Sequence, residues 1–260
     1  MIISNLCNMP FTFAHPAVVI PIYRKWKNLF SLTGLVVGSI VPDFEYFIRM
    51  SKTRLYTHNW FGLFWADLPL GIILAYIFHY IVKQQLLLHL PPVFKNKLLP
   101  YNSLNWNTYF KHHYVVVCIS ILLGGATHLL WDSLTHDNGL IAQLLHISGY
   151  RLKVANIRLH ITSWLQLLSS AIGMWFVIWV MLQLPNRNYE LLNKDNTINY
   201  YWIKVVIFAF VICFVRIYFF MPFHRPLSIL VTVIASFLYG LILVPICFSD
   251  LVTKKVKNRN

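Results

Sequence analysis

The chain has 260 residues, of which 58% are hydrophobic and 12% are charged, and its formal net charge is +14. Soluble domains carry about 25% charged residues, so this composition excludes an ordinary soluble domain and predicts a membrane protein. The basic residues are scattered between apolar segments, which favours membrane lipids as partners and argues against nucleic-acid binding.

The N-terminal part of the chain is a mixed segment that contains one short apolar run. This run, Leu29–Val41, holds Gly34 and Gly38 four residues apart and ends at Pro42. It is shorter than the ~20 residues that span the hydrocarbon of a bilayer. We therefore predict a helical segment that packs against the bundle or lies in the membrane interface. Pro42 then turns the chain and presents Asp43.

Five later segments are apolar enough to predict transmembrane helices. In chain order they cover residues 66–83, 113–131, 160–184, 201–221 and 226–248. Two longer stretches around them, Leu159–Asn186 and Pro226–Ser249, contain no charged residue. The predicted fold class is an all-α, polytopic integral membrane helical bundle. We divide it into a first domain, residues 1–185, and a C-terminal two-span hairpin with a basic tail, residues 186–260.

A polar motif ends the second predicted span. His128, Asp132 and His136 are spaced four residues apart, so they share an arc of about 80° on one helix face. Unpaired carboxylates and imidazoles at the end of an apolar helix cost several kcal/mol, so these side chains need a partner. A divalent metal ion would satisfy all three. The alternative is a polar network that ties helices together.

Further metal-ligating side chains precede the first predicted span. If each span crosses the membrane once, the first two form a hairpin, and both groups of residues lie on the same side. Imidazole and carboxylate together favour a transition metal, zinc above all, over calcium, which prefers oxygen ligands. The predicted ligands are His15, Asp43, His58, His128, Asp132 and His136. Glu45 is predicted to orient a ligand or act as a base, or else to be a surface carboxylate at the membrane edge.

Three motifs carry a resemblance to a known family. They are MPFTFAHP at residues 9–16, LTGLVVGSIVPDFEYF at 32–47 and THLLWDSLTH at 127–136. In these motifs the chain resembles the bacterial membrane family called domain of unknown function 4184, and the resemblance extends through LQLLSS at 165–170. It implies a location in the bacterial inner (cytoplasmic) membrane. That family carries no established activity.

The His/Asp pattern of this family is similar to that of membrane-bound metal-dependent hydrolases related to zinc-dependent phospholipase C and the S1/P1 nucleases. This similarity implies a first zinc site formed by Asp43, His58, His128 and Asp132. It also implies a second site at which His15 joins Asp132, with His136 close to both. Those enzymes add a downstream His-xxx-acid pair, but here His160 is followed four residues later by Trp164. One or two metal ions are therefore expected.

These patterns favour a metal-dependent hydrolase of a phosphoester in a lipid or lipid-linked substrate. Asp43 and Glu45 are the catalytic candidates, and basic residues after them are expected to attract an anionic headgroup: Arg49, Lys52 and Arg54. The alternative is a non-enzymatic transporter or scaffold whose His/Asp cluster is structural. A catalytic metal keeps an open coordination position, whereas protein ligands close a structural one.

Overall fold

The computed structural model describes residues 11–53, 55–154, 156–186, 196–220 and 226–248. This part of the chain is almost wholly helical, and its strands form a single short hairpin. The predicted all-α fold is confirmed. Arg54 and the predicted basic tail lie outside the described residues.

Short helices precede the first span. In chain order they are a 3-10 turn Thr12–Ala14, α1 Pro16–Lys25, α2 Leu32–Ile40, a 3-10 turn Val41–Asp43 and α3 Phe44–Arg49. The Ser31 side chain caps α2 by accepting a hydrogen bond from the backbone N–H of Gly34 at 3.2 Å. Helix α3 ends at Met50, whose φ of 49° is left-handed. The predicted apolar run is therefore a short helix, α2, that is followed by the turn carrying Asp43.

The described residues contain five helices that are long and apolar enough to cross a membrane, as predicted. They are Leu63–His89, Trp106–Thr135, Ile161–Leu182, Ile198–Phe220 and Leu227–Phe248. The first runs beyond its predicted end at residue 83, because the charge of Lys83 limits the apolar run but does not end the helix; its amine donates to the carbonyl of Leu104 at 3.0 Å. The second begins earlier than predicted, at Trp106, and is kinked at His113, which has non-helical φ and ψ of −131° and 25°.

The first span is built from four consecutive segments, and the remaining elements follow in chain order. The first span comprises a π-helical turn Leu63–Asp67, α4 Leu68–Ile77, a second π-helical turn Phe78–Val82 and α5 Lys83–His89. The elements after it are α6 Pro92–Leu98, a 3-10 turn Leu99–Ser103, α7 Trp106–Thr135, α8 Leu140–Leu144, β1 Arg151–Val154, β2 Ile157–His160, α9 Ile161–Leu182, α10 Asn196–Phe220 and α11 Pro226–Phe248. The antiparallel hairpin, in which Arg151 pairs with His160, was not predicted because its strands are too short to establish a periodicity.

The contacts within the chain define two compact units. The first comprises residues 1–75 and 109–180, and the second comprises 76–108 and 181–260. In the second unit, α10 and α11 pack along each other around the buried side chains of Tyr201, Val205 and Val244. All the predicted metal ligands belong to the first unit. The predicted division into domains at residue 185 stays a prediction.

In the first unit, α2 and α7 approach each other backbone to backbone. A Cβ atom on Gly38 would lie 2.2 Å from the carbonyl oxygen of Ile121, and one on Gly124 would lie 2.4 Å from that of Leu35. The backbone N–H of Ser31 also donates to the Ser120 hydroxyl at 2.9 Å. Small residues permit this approach in membrane proteins. Of the two predicted positions for the N-terminal segment, the structure has the packed one.

We expect Gly38→Val to destabilise the first unit severely. Overpacking alone costs about 1–3 kcal/mol, and here the added atoms would meet rigid backbone, which cannot yield as a side chain can. Thermal unfolding of the detergent-solubilised protein, followed by size-exclusion chromatography, measures the effect. The control is Ala171→Val, at an exposed position of α9. Equal stability of the two variants would contradict the close packing of α2 on α7.

Candidate metal centre

Four of the six predicted ligands form one buried cluster. The ligand-capable atoms of Asp43, His58, His128 and Asp132 all lie within 4.8 Å of one another. We call these four residues the His/Asp cluster. The side chains of His128 and Asp132 are 0% and 3% exposed, so water cannot solvate them freely. A polar group buried in this way needs a specific partner.

Three separate elements bring the cluster together. His128 and Asp132 lie one turn apart on α7, and Asp43 ends the 3-10 turn that follows α2. His58 comes from the loop before the first span and has a left-handed φ of 61°. Non-glycine residues rarely adopt this conformation, and those that do are often held there by surrounding contacts at functional sites. The shape of this loop therefore determines whether His58 reaches the cluster.

The ring of His128 is oriented as a metal ligand. Its Nδ1 lies 2.8 Å from the Ser39 carbonyl oxygen, and a carbonyl can only accept, so Nδ1 carries the proton. In the neutral ring the lone pair is then on Nε2, which faces the cluster 3.6 Å from Asp43 Oδ1 and 3.5 Å from Asp132 Oδ2. Metal-ligating histidines usually donate their other ring N–H in this manner. The close packing of α2 on α7 brings the Ser39 carbonyl within reach.

Several buried atoms of the cluster lack hydrogen-bond partners. They are Asp43 Oδ1, His128 Nε2 and Asp132 Oδ1. Asp43 Oδ1 and His128 Nε2 lie 3.6 Å apart, which is too far for a hydrogen bond, and an unsatisfied buried acceptor costs about 1–3 kcal/mol. A cation among them would satisfy all three. Two imidazoles and two carboxylates suit a divalent transition metal, so the cluster can hold such an ion.

The carboxylate of Asp132 faces different histidines with its two oxygens. Oδ2 lies 2.6 Å from His58 Nε2, whereas Oδ1 lies 3.6 Å from His15 Nε2. His15 also stacks on His128 with ring centroids 4.0 Å apart. Burial and the neighbouring His128 lower the pKa of His15 to about 4, so His15 is neutral near pH 7, as a metal ligand must be. The structure therefore brings the fifth predicted ligand alongside the cluster.

His136, the sixth predicted ligand, lies at the rim of the cluster. Its Nδ1–H donates to the backbone carbonyl of Asp132 at 3.0 Å, and its side chain is 26% exposed. The same nitrogen lies 3.8 Å from Asp132 Oδ2. The shared helix face predicted from the spacing is thus present. A role for His136 as a ligand stays a prediction.

Glu45 holds the loop that carries His58. Its carboxylate accepts hydrogen bonds from the backbone N–H groups of residues 55, 56 and 57 at 3.0–3.1 Å, from the Thr57 hydroxyl at 3.0 Å and from Arg49 Nε at 2.7 Å. Burial by itself would raise the pKa of Glu45. The hydrogen bonds from these donors outweigh that effect and lower the pKa to about 2. Glu45 is only 6% exposed, so it is not a surface carboxylate. The two other predicted roles of Glu45, orienting a ligand and acting as a base, stay predictions.

Two further residues near the cluster were missed from the sequence. The Thr12 hydroxyl donates to Asp43 Oδ2 at 2.7 Å and so orients that carboxylate. The FTFAH motif, in which Thr12 precedes His15 by three residues, was the available signal. Asp67 stands two residues before Pro69, a position that favours an N-cap, but it does not cap the first span. It lies inside the π-helical turn Leu63–Asp67 and is fully buried.

We expect Glu45→Gln to weaken metal binding by about 10–100-fold, the usual effect of losing a residue that orients a ligand. The amide would place an NH₂ group against backbone donors that now face a carboxylate, so the loop would release His58. Chelator competition on the purified protein measures the affinity. Lys52→Gln, which removes an exposed charge nearby, is the control. An affinity equal to that of the control would show that the loop holds His58 without Glu45.

Comparison with known proteins identifies a family. The chain matches the family described as domain of unknown function 4184 over residues 9–246. Searches of the curated proteins and of the solved structures find no match. The matched region contains all six predicted ligands and the loop that Glu45 holds. Because it covers most of the 260 residues, the chain belongs to the family called domain of unknown function 4184.

Proposed function

We propose that this protein is a membrane-bound, metal-dependent hydrolase of a phosphoester in a lipid or lipid-linked substrate. One observation carries the proposal: three buried atoms that could bind a metal have no hydrogen-bond partner, and two of them lie near the end of a helix long enough to cross a membrane. These atoms are Asp43 Oδ1, His128 Nε2 and Asp132 Oδ1. Intramembrane and buried ionisable residues are costly and usually functional. The choice of phosphoester chemistry comes from the similarity of the His/Asp pattern to enzymes related to zinc-dependent phospholipase C.

Asp43, His58, His128 and Asp132 would hold the ion, which we take to be zinc. His15, whose Nε2 lies 3.6 Å from Asp132 Oδ1, would hold a second ion together with Asp132. Bound zinc supplies a Lewis acid and lowers the pKa of a bound water to about 7. The protein's own contribution is orientation of the ligands, through Ser39, Thr12 and Glu45, as described above. Of the two catalytic candidates, Asp43 belongs to the cluster, whereas the oxygens of Glu45 are engaged by the loop.

The surroundings of the cluster support a substrate from the membrane. The loop of His58 leads directly into the first span, so the cluster lies near the start of a helix that is long and apolar enough to cross a membrane. Arg49 and Lys52 lie before this loop and supply positive charge for an anionic headgroup. We accordingly propose the bacterial inner membrane as the location and membrane lipids as partners, and we expect no nucleic acid to bind.

A metal-dependent activity assay tests this proposal. Purified protein, loaded with zinc or manganese, is screened against phosphate monoesters, phosphate diesters and phospholipids. We expect hydrolysis of at least one class, its loss on chelation and its recovery when metal is restored. A protein that binds metal stoichiometrically and hydrolyses none of these substrates would overturn the proposal.

The alternative is a transporter or scaffold with a structural metal. The near-complete burial of His128 and Asp132 favours it, because structural sites are closed by protein ligands. X-ray absorption spectroscopy of the zinc-loaded protein separates the two functions. A light-atom ligand that bromide or a phosphate analogue displaces indicates an open, catalytic position. Four protein ligands that neither anion perturbs indicate a structural site.

A further inference from the structure

An apolar cleft lies beside the loop that carries His58. It has a volume of about 280 Å³, and its exposed lining is almost entirely apolar. Ile48 of α3 and Tyr56 of the loop line it, together with Trp65 and Leu70 from the first turns of the first span. We call this feature the interfacial cleft. Its mainly apolar lining favours a hydrocarbon chain as the occupant.

The position of the interfacial cleft places it where lipid chains are available. Part of its lining belongs to the helix Leu63–His89, which is long and apolar enough to cross a membrane. Tyr56 and Trp65 are 50% and 48% exposed and pack edge to face at 5.3 Å. Exposed tyrosine and tryptophan at the end of a span are typical of the level of the lipid headgroups. This is the lining expected of a cleft at the boundary between headgroups and acyl chains.

Charge identifies the class of lipid. Arg49 lines the cleft, its Nε donates to Glu45 at 2.7 Å, and its side chain is 35% exposed. Lys52 is exposed three residues later. Glu45 also lines the cleft, but its carboxylate is surrounded by the donors of residues 55–57 and by Arg49. An arginine at the edge of an apolar cleft complements a phosphate group that is joined to an acyl chain.

The cleft also adjoins the His/Asp cluster. Thr57 lines it, and the next residue is His58, whose Nε2 lies 2.6 Å from Asp132. A lipid chain held in the cleft would consequently keep its headgroup near the metal ligands. Such positioning by a remote part of the substrate lowers the entropic cost of reaction.

We propose that the interfacial cleft binds one acyl chain of an anionic phospholipid, with its phosphate against Arg49. The inference rests on the proposed function, because it specifies which end of a lipid substrate the protein holds and where. Ala66 lies in the cleft between Trp65 and Leu70, so a larger side chain at this position would fill the space.

Photo-crosslinking of the full-length protein in nanodiscs tests the proposal. The probe is phosphatidylglycerol with a diazirine on one acyl chain, and the labelled peptide is identified by mass spectrometry. In the wild type we expect labels on residues 48–70. Ala66→Trp should lose this label, whereas Ala171→Trp, on an exposed face of α9, should keep it. A wild-type label confined to other helices overturns the proposal even if Ala66→Trp fails to fold.

A second comparison tests the role of charge. With phosphatidylcholine in place of phosphatidylglycerol, labelling of the wild-type cleft should fall. Arg49→Gln should abolish this preference and Arg49→Lys should preserve it. Equal labelling by both lipids in the wild type contradicts the assignment of Arg49.

Metal content and phosphoester hydrolysis are measured on the same preparations, so the two proposals can fail separately. Labelling of the cleft in a protein without hydrolase activity would retain the lipid site and reject the enzyme. Hydrolase activity with the same label in Ala66→Trp as in the wild type would retain the enzyme and reject the cleft.

Discussion

Replacing Asp132 with alanine is expected to remove bound transition metal from the purified protein. The Asp132 carboxylate lies 2.6 Å from His58, 3.5 Å from His128 and 3.6 Å from His15, so it is close to three of the predicted ligands at once. Without it, the histidines lose the negative charge that offsets a divalent ion in a buried site. Elemental analysis after zinc or manganese supplementation measures the loss.

Asp137→Ala provides a matched control for this experiment. Asp137 lies just beyond α7, and its Oδ1 is 3.4 Å from His160 Nδ1, but this aspartate is 38% exposed and outside the cluster. We expect Asp137→Ala to keep its metal. If the wild type holds less than about a tenth of an equivalent after supplementation, the cluster is a polar network and not a metal centre.

The variants His58→Ala and His128→Ala are each expected to lower the proposed hydrolase activity by more than about 100-fold. Loss of a residue that merely orients a ligand already costs 10–100-fold, and these two histidines would bind the ion directly. Initial rates on a substrate that the wild type hydrolyses, with expression and membrane insertion measured in parallel, test this expectation.

Two substitutions within the spans separate the activity from helix packing. His79 stacks on Trp106 with ring centroids 4.5 Å apart, and Gln166 is buried in α9. His79→Ala and Gln166→Ala should keep activity and lower stability by about 1 kcal/mol or less, as is typical of interhelical polar contacts in membranes. Full activity in both cluster variants would show that the assigned centre is wrong. Failure of both to fold would favour a structural metal.

Local sequence determined the spans and part of the site. A transmembrane helix is recognisable from composition alone, because every residue along it meets the same apolar surroundings. The spacing of His128, Asp132 and His136 likewise follows from helix periodicity, which places residues four apart on one face. Both signals depend only on neighbours along the chain, so no knowledge of the tertiary structure was needed. Counting the spans predicted that His58 and Asp132 lie on the same side of the membrane, and their contact at 2.6 Å agrees with this prediction.

The tertiary structure alone decided how the ligands are oriented. The tautomer of His128 depends on the Ser39 carbonyl, and Ser39 reaches it only because Gly38 and Gly124 let two helices meet backbone to backbone. His58 has its left-handed backbone in a loop whose N–H groups donate to Glu45, which lies ten to twelve residues earlier in the chain. The sequence alone does not predict such contacts, since they join segments whose separation along the chain sets no distance in space. Periodicity therefore determined which side chains were available to a metal, and long-range packing determined which of them meet.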